Sequence, residues 1–200
     1  YTTLFRSSET PYKSVLLYHG LGSGKTCSAI GICEEHRDTV ARDSANFVKK
    51  IIIIASPNVQ DNFKLQLFDK RKLKKENGVW KNDACIGDKL LREIGAGVGS
   101  DSNEEQIETQ VKDIIHSFYE FMGYTQFANM VTQLIDNTLK TILQSSSDEI
   151  KQRVVNEALN KEFSNRLIVV DEVHNLRIAE DNAKKDSSVH LMSVVRASEN

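Results

Sequence analysis

The sequence predicts an α/β fold: a parallel sheet covered by helices on both faces. Three short runs, Val15–Tyr18, Ile51–Ala55 and Leu167–Val170, carry almost no polar residues. Strands buried on both faces read this way, because neither face is left for water. Helical patterns separate the runs, and such alternation favours right-handed crossovers between parallel strands. The first and third runs also lead directly into residues suited to a ligand site, and open α/β sheets bind ligands at the carboxyl ends of their strands.

The first run delivers His19-Gly20-Leu21-Gly22-Ser23-Gly24-Lys25-Thr26, followed by a helix expected from about Gly24 to Arg37. Small residues let successive backbone N–H groups turn inward around phosphate oxygens. Lys25 has the reach for β- and γ-phosphates, and the Thr26 hydroxyl suits Mg²⁺. The positive end of the helix points at the same phosphates. All eight residues are therefore candidate nucleotide-phosphate ligands. The pattern G-x-x-x-x-G-K-[ST] departs from its usual form only at His19, where glycine is the rule.

The second run ends at Ser56-Pro57-Asn58, and Asn58 is expected to cap a helix whose buried face holds Val59, Phe63, Leu67 and Phe68. That helix is expected to end in Lys70–Lys75, five basic residues in six. Two readings stand: a solvated helix end, and a contact for a nucleic-acid backbone. Residues 78–102 read as irregular, with Gly95, Gly97 and Gly99 in a flexible loop. Residues 103–163 read as purely helical, an insertion of three amphipathic stripes divided at Gly123 and Ser145–Ser147, with Ser147 or Asp148 as a cap. A last helix is expected from about Ser188 to Ala197.

The third run delivers Asp171-Glu172-Val173-His174. An acid at the end of a strand near a phosphate loop has the form of a Walker B motif. Asp171 is the candidate Mg²⁺ ligand, and Glu172 the candidate group for orienting a water.

Composition narrows the setting. The 200 residues carry 40% hydrophobic and 27% charged side chains and a net charge of −2, so any nucleic-acid site is local. The longest apolar run is too short to cross a bilayer, and no membrane partner is expected. Three cysteines are odd in number and lack metal-ligand spacing. Cys27 and Cys33 are expected as small buried residues on the first helix, and a reducing, intracellular compartment follows. Because the chain starts at Tyr1, it is expected to be a piece of something longer.

The motifs together resemble the first RecA-like lobe of superfamily 2 helicases. Gly22–Thr26 matches motif I, Ser56-Pro57-Asn58 sits where motif Ia lies, and Asp171–His174 is a DExH form of motif II. In that superfamily the first loop position is often not glycine. The resemblance implies that Ser56, Pro57 and Asn58 line a nucleic-acid track and that His174 couples ATP hydrolysis to movement of a second lobe. The phrases "TPYKSVLLYHGLGSGKTCSAI", "SPNVQDNFKLQLFD", "FYEFMGYTQFANMV" and "NRLIVVDEVHNLR" look like helicase-type ATPases of large nucleocytoplasmic DNA viruses. These are of the poxvirus early transcription factor ATPase and nucleoside triphosphatase I type. The resemblance implies residues 1–200 form an N-terminal ATP-binding lobe with a helical insertion at 103–163. It also implies ATP and Mg²⁺ as ligands, DNA or RNA as partner, a second lobe, a viral RNA polymerase or capping enzyme, and a virion or host-cytoplasm setting.

Two departures bear on this. No glutamine precedes Tyr18 to form an adenine-reading Q motif, and no Ser-Ala-Thr motif III follows Asp171–His174. Another phosphate-loop motor, of packaging or AAA type, stays open, as does a lobe that holds nucleotide while docking onto a transcription complex. A GTPase is disfavoured because no Asn-Lys-x-Asp motif occurs.

Overall fold

The computed structural model describes residues 2–5, 14–18, 20, 22–43, 49–95, 103–142, 146–173 and 182–197. Everything below concerns those residues. In chain order the elements are β1 (Thr2–Phe5), β2 (Val15–Tyr18), α1 (Lys25–Asp43), β3 (Ile51–Ile54) and α2 (Pro57–Leu67). A 3₁₀ turn (Lys70–Lys72), β4 (Leu73–Glu76), β5 (Val79–Asn82), α3 (Lys89–Glu93) and α4 (Glu104–Phe118) follow. The chain continues through β6 (Tyr119–Met122), α5 (Tyr124–Lys140), α6 (Asp148–Phe163), β7 (Ile168–Val170) and α7 (Asn182–Ala197).

The main sheet has the order β2-β1-β7-β3-β6. Its parallel part is β7-β3-β6, with Ile53 opposite Val169 on one side and Phe121 on the other. The α/β expectation of a parallel sheet flanked by helices holds for these three strands. Alternation along β3 divides the core in two. Ile51 and Ile53 point toward Ala29, Ile30 and Cys33 of α1 and Phe63 and Leu67 of α2. Ile52 and Ile54 point toward Phe127 and Val131 of α5, Leu159 and Phe163 of α6, and Val194 of α7. All four isoleucines are at most 2% exposed. Each such burial is worth about 1.5–3 kcal/mol in transfer terms, so β3 is the axis of both layers.

The first run departs from expectation. β2 pairs only with β1, antiparallel, and β1 in turn pairs antiparallel with β7. β1 thus lies between the strand that leads into the glycine-rich loop and the strand that leads into Asp171. At the sheet edge Leu16 is 56% and Tyr18 80% exposed. An apolar run marks a strand; whether it is covered depends on its neighbours.

Four further expectations change. Ser56, not Asn58, is the residue before α2, and Pro57 occupies the first helical position. The missing N–H of Pro57 costs nothing there. The run Lys70–Lys75 is not a helix end, because α2 stops at Leu67 and the run forms the 3₁₀ turn and β4 of a β4–β5 hairpin. Several of its charges have partners: Lys70 pairs with Glu108 at 2.6 Å, Arg71 with Asp69 at 2.9 Å, and Lys75 lies 5.3 Å from the centre of the Trp80 ring. Hydrogen bonds from Lys112 and Lys70 hold the Glu108 carboxyl down at about 2. Residues 78–102 are not wholly irregular, since β5 and α3 lie within them, packed with Ile107 and Val111 of α4 in a third cluster.

The stretch 103–163 is not purely helical either. β6 interrupts it, because alternate residues of Tyr119-Glu120-Phe121-Met122 meet opposite faces of the sheet while its backbone pairs with β3. The helices on either side are capped as their sequences ask. Asn103 and Gln106 satisfy each other's backbone N–H at 2.9 and 3.0 Å before α4, and the Ser147 hydroxyl accepts from Ile150 before α6. Lys49 donates to the carbonyls of Lys161, Glu162 and Ser164 and so caps the carboxyl end of α6.

The cysteines overturn another expectation. Cys33 is buried as predicted, but Cys27 is exposed and is joined to Cys85 by a disulfide. The inference of a reducing compartment rested on unpaired thiols and loses that footing. Among the described residues no helix is long and apolar enough to cross a membrane.

Candidate phosphate-binding site

The loop between β2 and α1 turns on two glycines. Gly22 has φ +74° and Gly24 φ +85°. A side chain at either place would be strained, which is the local reason for the spacing. Ser23 closes the turn, its hydroxyl donating to the Gly20 carbonyl at 2.7 Å. The first helical bond runs from Ser28 N–H to the Gly24 carbonyl at 2.9 Å. The N–H groups ahead of it are those a helix leaves without an internal partner and offers to an anion.

β7 supplies the opposite wall. The Asp171 N–H donates to the Ile54 carbonyl at 3.0 Å, extending the ladder with β3 by one step. The Tyr124 hydroxyl, from the start of α5, donates to the Asp171 carbonyl. Glu172 then adopts φ +50°, an uncommon backbone for a non-glycine residue. Held in this way, both carboxylates reach Lys25: its Nζ stands 3.1 Å from Glu172 Oε1 and 3.5 Å from Asp171 Oδ1. These side chains are only 14–21% exposed, so their attraction is screened less than that of a surface pair.

A cleft of about 250 Å³ is bounded by Gly20, Gly22, Gly24, Lys25, Thr26 and Glu172, with Cys27, Asn62 and Gln66 completing it. That is below the ~300 Å³ at which pockets for whole small molecules begin, and it suits a phosphate tail. Thr26 borders the cleft and Asp171 stands beside Lys25, and both carry hard oxygen donors. Among the described residues no group of three or more His, Cys, Asp or Glu side chains could hold a metal ion. In general Mg²⁺ is held by one or two carboxylates together with waters and substrate phosphates.

The structure thus gathers Gly20, Gly22, Ser23, Gly24, Lys25, Thr26, Asp171 and Glu172 at one end of the sheet. Ser56, Pro57 and Asn58 leave that same end, since Ile54 is in register with Val170, and all three are exposed. They do not touch the cleft. His19, Leu21 and His174 lie outside the described residues. Sequence reading passed over Tyr124, Asn62, Gln66 and the Cys27–Cys85 pair. The separation of four between Asn62 and Gln66 does put them on one helix face. That the face meets the glycine-rich loop follows only from the packing of α2 on α1.

The fold is α/β, with a three-strand parallel sheet flanked by helices, and is compatible with a RecA-like lobe. Comparison with known proteins agrees. The chain is 26% identical, over 84% of its length, to a "putative ATP-dependent RNA helicase" of Acanthamoeba polyphaga mimivirus, spanning 22% of that protein. A second mimivirus protein of the same description is 23% identical over 86% of the chain. A "putative helicase" of Frog virus 3 is 24% identical over 86% of the chain, and the chain spans 14% of each of these two proteins. The chain therefore covers less than a quarter of the length of the relatives it matches. The resemblance to helicase-type proteins of large nucleocytoplasmic DNA viruses is borne out in these matches. No family model matches the chain, and no solved structure matches it.

Proposed function

We propose that this chain is the N-terminal ATP-binding lobe of a DExH-type, nucleic-acid-dependent ATPase. The full protein hydrolyses ATP with Mg²⁺ to translocate on or remodel DNA, with viral transcription as its setting. The observation that carries this reading is the meeting of Lys25 with Asp171 and Glu172, residues up to 147 positions apart in the chain. Nothing in core packing asks for a lysine and two acids at that place. The relatives' names support the helicase class.

In this reading the backbone N–H groups of residues 22–26 bind the phosphates, and Lys25 leaves its carboxylate partners to take a β- or γ-oxygen. Thr26 and Asp171 would hold Mg²⁺, which would supply positive charge against the transferring phosphoryl group. Glu172, released from Lys25, orients the attacking water and accepts its proton. Ser56, Pro57 and Asn58 sit where a nucleic-acid strand crosses the same end of the sheet, and His174 relays the state of the site to a second lobe.

The test is a pair of substitutions in the full-length protein. Lys25→Ala abolishes both nucleotide binding and hydrolysis. Glu172→Gln keeps binding but slows hydrolysis by about 10²–10⁴-fold, the usual contribution of a general base. Loss of nucleotide binding in Glu172→Gln, or DNA-independent turnover in the parent protein, would count against the reading.

A further inference from the structure

Cys27 follows Thr26 directly, lies exposed in the first turn of α1, and borders the same cleft as Lys25 and Glu172. Its partner Cys85 lies in the segment between β5 and α3, 58 residues away, with the two Cα atoms 5.2 Å apart. Cys85 is itself fixed to α2, since its N–H donates to the Gln66 carbonyl at 3.0 Å and its Sγ lies 3.2 Å from Gln66 Oε1. Gln66 borders the cleft in turn. One covalent bond therefore links the first turn of the phosphate-binding helix, through Cys85, to the residue facing it from α2. We propose that Cys27 and Cys85 form a reversible thiol–disulfide pair that sets the affinity of the cleft for nucleoside triphosphate. The inference rests on the nucleotide-binding reading above.

Formation of the pair needs an oxidant, and a low-molecular-weight disulfide such as oxidised glutathione is sufficient. The exposed Cys27 thiol gives up its proton, and the thiolate attacks one sulfur of the donor disulfide, expelling one thiolate as leaving group. The Cys85 thiolate then attacks Cys27 Sγ and expels the second. Two protein thiols lose two electrons and two protons, and one disulfide becomes two thiols. Cys33 does not compete: it is fully buried, and that burial pushes its thiol far above the ordinary range. With the bond closed, the turn carrying Lys25 and Thr26 is held against α2 before nucleotide arrives. With it open, that ordering is charged to the binding step.

The experiment uses the 200-residue chain, oxidised with glutathione disulfide or reduced with dithiothreitol. Each form is titrated with a fluorescent N-methylanthraniloyl ATP and Mg²⁺, and the thiols are counted by alkylation and mass. The reduced form is expected to bind about threefold to tenfold more weakly, from the ordering of one or two side chains. Cys27→Ser and Cys85→Ser are expected to match the reduced form under both conditions. The wild-type chain alone decides the matter should either variant misfold. Equal affinity in the two redox forms, with binding abolished by Lys25→Ala, overturns this inference and leaves the nucleotide reading standing. Tighter binding on reduction overturns it as well. An absence of binding in both forms overturns the nucleotide reading and the inference with it.

Discussion

β3 and β2 are each four residues long and wholly apolar apart from the Tyr18 hydroxyl, yet they occupy opposite environments. Ile51–Ile54 lie at the centre of the sheet, at most 2% exposed, while Leu16 and Tyr18 of β2 stand 56% and 80% exposed at an edge. The difference is one of neighbours. β3 has a parallel strand on each side and helices on both faces, whereas β2 has β1 on one side alone. Composition selects a strand, and burial follows from what the rest of the chain brings to it. The glycine-rich loop hangs from the exposed β2, and Asp171 and Glu172 follow β7, the buried neighbour of β3, so the candidate site bridges the two regimes.

The largest effect should separate these strands. Ile53→Asp places an unpaired carboxylate in the core and is expected to cost more than about 4 kcal/mol, enough to unfold the chain. Leu16→Asp is expected to stay within about 1 kcal/mol in urea denaturation. Equal costs would erase the contrast.

Next comes the disulfide, which ties the loop side of the molecule covalently where burial is thin. Closing a loop of 58 residues, it is expected to stabilise the chain by about 4 kcal/mol on the chain-entropy account. Denaturation with and without reductant measures this, and an unchanged midpoint would place the stability of α1 in packing alone.

The smallest effect belongs to His36, on the helix that joins the two regimes. Burial holds its imidazole below the ordinary 6.5. The unfolded chain therefore binds more protons than the folded one just below that pH. Stability is unaffected above 6.5 and declines as the pH falls through it. His36→Gln should flatten this part of the pH profile, and an unflattened profile would assign the decline to other groups.

Much of the site was legible because it is local. Gly22 and Gly24 take positive φ, and Lys25 and Thr26 follow at the start of α1, all written in nearly consecutive residues. Asp171 and Glu172 were legible because a strand end needs only its own preceding residues. β6 was not: Tyr119–Met122 is flanked by strong helical patterns, and only pairing with β3 makes it a strand. The basic run was misread for a related reason, since Phe68 and Leu73 leave the α2 pattern to join Trp80, Leu90 and Leu91 in a separate cluster. An odd cysteine count concealed a pair, because arithmetic cannot say which two thiols meet.

The sequence by itself determined the α/β class, the glycine-rich turn, the acidic strand end and much of the core face of each long helix. Each depends on dihedral preferences and periodicities that span a few residues. Tertiary structure alone decided the sheet order, the exposure of β2, the strand at β6, the meeting of Lys25 with Glu172, and the bond from Cys27 to Cys85. Those depend on contacts between residues far apart in the chain, where the free energy lies in the pairing and no single segment encodes it.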